Sequence, residues 1–351
     1  MRRERCDTPS ISLCSFVNLS IANSNLNIHT PFSHSQVEPE WARETWRTIV
    51  DEIKRDLPDL LVFANAREPT DLLLIKSARM AGVQRIVMEL PNLYPKFDLG
   101  LIDGVIAPSH YAALHPSIKS GGQEGSFSLH VVNPGVDQGV WVGEGEIEAG
   151  NLGWGKKCVL VGFVARLSSE KSPGVFLQVA KKVREENKWA RFVVVGDGNF
   201  REEMERMVEV MGLADVVKFT GAIYGERLVS VIRGLDIIVN PSLRYESETF
   251  CIANLEAMSM GKTLVTYGIG GIGEYAKDGA NALVVEGWGE ELVENLAKKV
   301  GEAVEDGMLR RRLGEGARKM VGEGGFRLED VVRGYREVYL EMVGRGAEEE
   351  L

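Results

Sequence analysis

The chain has 351 residues, 41 basic and 51 acidic, for a formal net charge of −10. This length accommodates two domains with ample core, and 44% hydrophobic with 26% charged residues is ordinary for a globular protein. The acidic balance argues against a nucleic-acid partner, which needs a clustered cationic surface, and gives no indication of electrostatic docking on a membrane. The four cysteines, Cys6, Cys14, Cys158 and Cys251, show neither CxxC pairing nor zinc spacing, so a reducing, cytoplasmic setting is expected.

At the start, Arg2, Arg3 and Arg5 precede ISLCSFVNLSIA, a weak imitation of a secretory leader that repeated Ser and Asn dilute. Residues 1–35 are therefore expected to be an ill-defined leader. No stretch reaches the roughly 18 uninterrupted apolar residues of a membrane helix. An amphipathic segment carrying Trp41, Trp46, Ile49, Val50 and Ile53 reads as a helix that Pro58 ends, and LLVF follows as a buried strand. TDLLLIKSARMAG reads as a second helix, with Thr70 as N-cap and Gly82 as its stop. RIVMEL, GVIAPS and LHVVNPG supply further strands, making residues 36–142 a small α/β domain. Residues 143–157 contain five glycines and read as a linker.

From 158 to 325 one pattern repeats: strand CVLVGFVARL, helix 172–188, strand RFVVVG, helix 200–212 and strand VVKFTG. Helix 226–234, strand DIIVNPS, helix 249–260, strand TLVTYG, a short turn and strand ALVVEG complete it. Short apolar runs joined by helix-length segments require parallel pairing, and right-handed crossovers then give a doubly wound sheet. Residues 326–345 read as a C-terminal helix packing back toward the N-terminal domain.

In such sheets ligands bind beyond the carboxyl ends of the strands, which directs attention to NPSLRYESETFCIANLEAMSMG. Glu248 and Glu256 lie eight positions apart, about 80° around a helix, so both can face one side of it. A carboxylate two turns into a helix can accept hydrogen bonds from ribose hydroxyls, and one at the entrance can hold sugar hydroxyls. From these residues alone a simpler reading stands beside it: Glu248 as a partner of the helix dipole and Glu256 as a partly exposed surface residue. Arg166 and Lys171, in ARLSSEKSPG at the same edge, are two cations able to neutralise a diphosphate.

Gly268, Gly270 and Gly273 in YGIGGIGEYAKDG match a dinucleotide fingerprint, but the helix after them would be only EYAKD. The stretch is read instead as a loop whose backbone approaches a ligand closely, with an NAD-dependent oxidoreductase as a remote alternative. No D-x-D triplet occurs, and the five histidines form no metal spacing, so no metal is expected.

Taken in order, GFVARLSSEK, VVVGDGNFR, FTGAIYGERL, DIIVNPSLRYESETFCIANLEAMSMG and GIGGIGEYAKDGANALVV resemble the retaining, family 4 type of GT-B glycosyltransferases, with their group 1 domain. The resemblance spans 158–286 and reaches more loosely to VVNPGVD and FRLEDVVRGYREVYLEM. It implies two Rossmann-like domains facing a cleft, and transfer of a sugar from a nucleotide-sugar donor to an acceptor hydroxyl with retention of configuration. It also implies a diphosphate clamp at Arg166 and Lys171, a ribose ligand at Glu256 and a sugar contact at Glu248. Thr249, Phe250, Cys251 and Ile252 would assist through backbone amides, with the nucleotide-sugar as substrate and no cofactor or metal. Glu246 becomes a spectator.

Two departures stand out. Cys251 occupies a position where the family usually has Gly, which could crowd the donor sugar. In the first domain the opening strand and its glycine-rich loop are not recognisable, and Glu89 stands where many relatives carry His. A catalytically impaired nucleotide-sugar binder of the same fold is the alternative, and the acceptor is unknown.

Overall fold

A computed structural model describes residues 11–12, 40–64, 69–90, 99–115, 118, 127–141, 154, 157–243, 248–287, 289 and 291–344. The expected linker lies almost wholly outside them, as does Glu246. The elements in chain order begin β1 Ile11–Ser12, α1 Glu40–Arg55, β2 Leu60–Ala64, α2 Pro69–Ala81, β3 Arg85–Glu89, β4 Gly104–Ala107, α3 His110–Leu114, β5 Ser128–Val131 and α4 Gln138–Trp141. There follow β6 Val159–Val164, α5 Pro173–Glu186, β7 Ala190–Val195, α6 Arg201–Val210, β8 Val217–Gly221, α7 Gly225–Gly234, β9 Ile237–Asn240 and α8 Ile252–Ser259. The chain ends with β10 Thr263–Tyr267, α9 Ile272–Tyr275, β11 Ala282–Val285, α10 Leu292–Glu305, α11 Gly307–Glu323 and α12 Leu328–Met342. No helix among the described residues is long and apolar enough to cross a membrane.

The chain divides into two compact units. Unit 1 holds Met1–Ala107, Ala112–Val132 and Arg333–Leu351; unit 2 holds Pro108–Tyr111 and Asn133–Val332. In unit 1 the strands lie in the order β1-β2-β3-β4-β5, and each neighbouring pair is parallel. A strand at Ile11–Ser12, paired with Leu60–Leu61, falls inside the stretch where none was recognised. Two residues carry too short an alternation to mark a strand in sequence. The other four strands sit where the apolar runs placed them. Their core gathers Leu61, Phe63, Ile75, Ile86 and Met88. The C-terminal part of α12 belongs to this unit, where Met342 packs within 3.1 Å of the space a side chain at Gly104 would fill.

Unit 2 carries a six-stranded sheet in the order β11-β10-β9-β6-β7-β8, again with all neighbouring pairs parallel. β6 and β11 are continuous apolar runs and β7, β9 and β10 are mostly apolar, as strands covered on both faces require. Helix α5 starts with Pro173, whose missing N–H is no loss in a first turn. Asp306 caps α11 by accepting from Met308 N and Leu309 N at 2.9 Å each. The order runs outward from β6 through β7 to β8, then resumes on the other side at β9. In open sheets of this kind a reversal such as that between β6 and β9 is where a binding crevice forms, beyond the carboxyl ends of the strands.

Candidate functional site at the strand-order reversal

The loop leaving β6 is held by the one leaving β7. Ala165 N donates to Val195 O at 3.1 Å, Leu167 N to Asp197 O at 2.9 Å, and Phe200 N to Leu167 O at 3.1 Å. Gly196 has φ +140, and a Cβ there would stand 1.9 Å from Ala165 O, so the two loops close on each other only through glycine. A 3-10 turn over Ser169–Lys171 follows, and Ser172 turns the chain into α5 with φ 48. Arg166 is exposed, with no ion-pair partner among the described residues. With Lys171 it helps pull the Glu170 carboxyl below its usual range, after the larger effect of Glu170's own backbone N–H.

Lys171 reaches across the reversal. Its Nζ donates to both carboxylate oxygens of Glu248, at 2.8 and 3.0 Å, and the Glu248 side chain is only 3% exposed. Burial works against the Lys171 charge, but the surrounding negative groups outweigh it and raise its pKa above the ordinary lysine value. At neutral pH the charged groups doing so are Glu248, which also accepts the hydrogen bonds, and Glu170. Cys251 is an uncharged thiol there, because burial first and Glu248 second push it up to about 12.

Helix α8 starts at Ile252, three residues later than expected, with Cys251 as its N-cap at φ 70 and ψ 84. Thr249, Phe250 and Cys251 are thus loop residues, and the same-face argument for Glu248 and Glu256 does not apply, since Glu248 precedes the helix. What links the two carboxylates is Cys251, whose thiol both disfavour as a thiolate. Its Sγ lies 3.2 Å from Asn240 Nδ2. Glu256 is half-buried on α8, with no ion-pair partner among the described residues, and burial raises its carboxyl pKa. Ser172 and Cys251 are the two non-glycine residues with left-handed backbone among those described, and they flank the Lys171–Glu248 pair. Strain of this kind persists where the surroundings over-determine it, and it clusters at working sites.

Several residues that the sequence reading passed over build the second loop. Asn240 Nδ2 donates to Asn254 Oδ1 at 3.2 Å, and Asn254 Nδ2 to the Tyr275 hydroxyl at 2.8 Å. Phe250 packs on Tyr275 and Phe326, with ring centroids 5.1 and 5.8 Å away. An asparagine inside the apolar run CIANLEAM is the one signal that could have pointed there. In the glycine-rich loop, Gly271 approaches the protein's own chain: a Cβ there would stand 2.0 Å from Thr249 O. Gly268 and Ile269 do line a cavity of about 270 Å³ at the carboxyl ends of β10 and β11, with Tyr267 and Glu286. Helix α9 has four residues, too few to carry a dinucleotide along the sheet.

In unit 1, Glu89 ends β3, half-buried. Its carboxyl pKa is raised by burial, and Tyr339 OH donates to it at 3.3 Å. Among the described residues no cluster of three or more His, Cys, Asp or Glu could hold a metal ion.

Residues 146–320 match the family model of glycosyl transferases group 1. The matched stretch contains both loops of the reversal. The alpha-D-kanosaminyltransferase of Streptomyces kanamyceticus is 30% identical over 158 residues, covering 45% of this chain and 39% of that protein. The D-inositol 3-phosphate glycosyltransferase of Mycolicibacterium smegmatis is 25% identical over 232 residues, covering 63% and 49%. The chain thus spans half or less of the length of these curated relatives. Among solved structures, a glycosyltransferase from Rickettsia africae superposes with TM-score 0.74 at 18% identity, over 90% of this chain and 85% of that one. Anabaena HepE in complex with UDP gives 0.71 at 19% identity, over 85% and 82%. At such identity the likeness is one of fold, and the fold is of GT-B type.

Proposed function

We propose that the chain transfers a sugar from a nucleoside-diphosphate sugar to an acceptor hydroxyl with retention of anomeric configuration. The observation that carries this reading is the buried Lys171–Glu248 pair at the strand-order reversal of a group 1 domain. A buried ion pair is a poor device for stability alone, because desolvating both charges offsets most of their attraction. Such a pair is well suited to exchange partners: a diphosphate takes Lys171, and Glu248 is released to accept hydrogen bonds from the donor sugar.

In this reading Arg166, exposed and uncommitted, completes the diphosphate clamp, and the amides of Thr249–Ile252 at the start of α8 add their N–H dipoles. Glu256 takes the ribose hydroxyls, which supply the hydrogen bonds its half-buried carboxyl lacks. The bond from the anomeric carbon to the diphosphate breaks with its electrons leaving on phosphate, and the acceptor oxygen bonds to that carbon on the same face. The hydroxyl proton leaves with the diphosphate. The protein's part is to hold the departing charge and the orientation, and no side-chain nucleophile is required. The same residues carry the reaction without a metal, which sets this reading apart from a carboxylate-held cation.

UDP is the nucleotide bound by HepE, so it is the first to try. Titration calorimetry with UDP, GDP and ADP should show selective binding to one of them, and NMR of the product should show the donor's anomeric configuration preserved. Binding without turnover on any acceptor would reduce the chain to a nucleotide-sugar binder. An inverted product would remove the retaining assignment.

A further inference from the structure

We infer that Ser109 and Tyr275 are positioning residues for donor binding: together they fix the backbone of Glu248–Cys251 so that its amides face the reversal crevice. This rests on the donor site proposed above. Four successive carbonyls of that loop each accept a hydrogen bond. Glu248 O accepts from Gly271 N at 3.1 Å, Thr249 O from Ser109 Oγ at 2.7 Å, and Phe250 O from Tyr275 OH at 2.8 Å. Cys251 O accepts from Asn254 N at 3.2 Å, with Tyr275 OH at 3.4 Å. In a planar trans peptide the N–H points opposite to the C=O before it. Pinning these four carbonyls therefore aims the amides of Thr249, Phe250, Cys251 and Ile252 away from the brace.

The brace is built from distant sequence. Ser109 is 0% exposed and lies 140 positions before Thr249. It belongs to Pro108–Tyr111, a segment grouped with unit 2 although its neighbours on both sides belong to unit 1. That segment is tied down in turn. The carboxylate of Glu274 accepts from His110 N at 3.1 Å and from Tyr111 N at 2.7 Å, and Asn133 Nδ2 donates to Pro108 O at 3.0 Å. Glu274 and Tyr275 are neighbours on α9, so one short helix holds both the segment that carries Ser109 and the loop that Ser109 holds. A loop with no regular structure and a left-handed Cys251 has little local reason to keep one conformation; these bonds supply it.

Ser109→Ala and Tyr275→Phe each remove a hydroxyl and keep the shape. In each, UDP affinity measured by calorimetry should fall about three- to tenfold, at a temperature well below the melting transition of every variant. The drop should appear in Kd, since a purely structural loss lowers the folded fraction and hence the measured stoichiometry, leaving Kd unchanged. Wild-type Kd in both variants, whatever their Tm, overturns the inference. Should one variant fail to fold, the other still decides. If the wild-type chain binds neither UDP, GDP nor ADP, the donor site itself falls and this inference with it, an outcome distinct from variants that bind as wild type does.

Discussion

The loops that leave β6 and β9 face the same crevice and share a plan, yet they are held in different ways. Each is pressed by a glycine of a neighbouring strand's loop, Gly196 against Ala165 and Gly271 against Thr249. Each also carries a left-handed non-glycine residue, Ser172 or Cys251. The β6 loop, however, spends its hydrogen bonds on backbone at its start and leaves Arg166 exposed. In the described part of the β9 loop the carbonyls of Glu248–Cys251 are bound one after another, and Glu248 is buried at 2% exposure. One loop offers two cations, Arg166 exposed and Lys171 held by Glu248, and the other a braced backbone, a division of labour suited to gripping a diphosphate against an oriented sugar.

The largest expected effect comes from breaking the bond between them. Lys171→Ala leaves the Glu248 carboxylate buried without its partner, which should cost about 3–5 kcal/mol of stability. It should also abolish measurable UDP binding. Adding Glu248→Gln to Lys171→Ala removes the orphaned charge, so the double variant should be more stable than Lys171→Ala alone, though still unable to bind. Urea unfolding and calorimetry on the three proteins test this. A Lys171→Ala variant within about 1 kcal/mol of wild type would mean that the pair is not desolvated as described.

Glu256 marks the contrast between the two carboxylates, because it is half-buried with no cation beside it among the described residues. Glu256→Ala should weaken UDP about tenfold, about 1.4 kcal/mol, without loss of stability. The sign of its pH dependence follows from the raised pKa. The folded chain keeps this proton to higher pH than the unfolded chain does. Stability from this group is therefore complete below the ordinary carboxylate pKa and is lost as pH rises through the folded value. Glu256→Gln should flatten that slope just above the ordinary carboxylate range. Ribose hydroxyls donating to the carboxylate favour its charged form, so UDP binding near the folded pKa should release a proton. Calorimetry in buffers of different ionisation enthalpy reads that proton directly. No buffer dependence there would remove Glu256 from the ribose site.

How far the sequence could be read depends on whether the determining contacts are local. The strands of unit 2 were legible because continuous apolar runs between helix-length segments have few other solutions. Lys171 and Glu248 were legible as charges at strand ends, though their 77-residue separation hides the ion pair. The start of α8 was misplaced by three residues because nothing in TFCIAN announces that Cys251 takes a left-handed backbone. Ser109 was invisible for a different reason: its role exists only once Pro108–Tyr111 is seated beside the 248–251 loop. The same holds for Gly271, whose missing side chain is explained by a carbonyl 22 residues earlier.

The smallest effect sharpens what the left-handed position demands. At φ 70 a Cβ costs about 1 kcal/mol or more relative to glycine. Cys251→Gly removes that strain, loses the Sγ contact with Asn240 and adds about 0.5–1 kcal/mol of unfolded-chain entropy. Its net change should lie within about 1 kcal/mol of wild type. Cys251→Ala loses the same sulfur yet keeps the strained Cβ, so it should be the less stable of the two by at most about 1 kcal/mol, the strain less the glycine entropy. Ordinarily alanine outranks glycine, and a reversed order in paired thermal melts isolates the backbone as the cause. If alanine ranks above glycine here too, the sulfur and its neighbours, not the dihedral angle, account for the residue at this position.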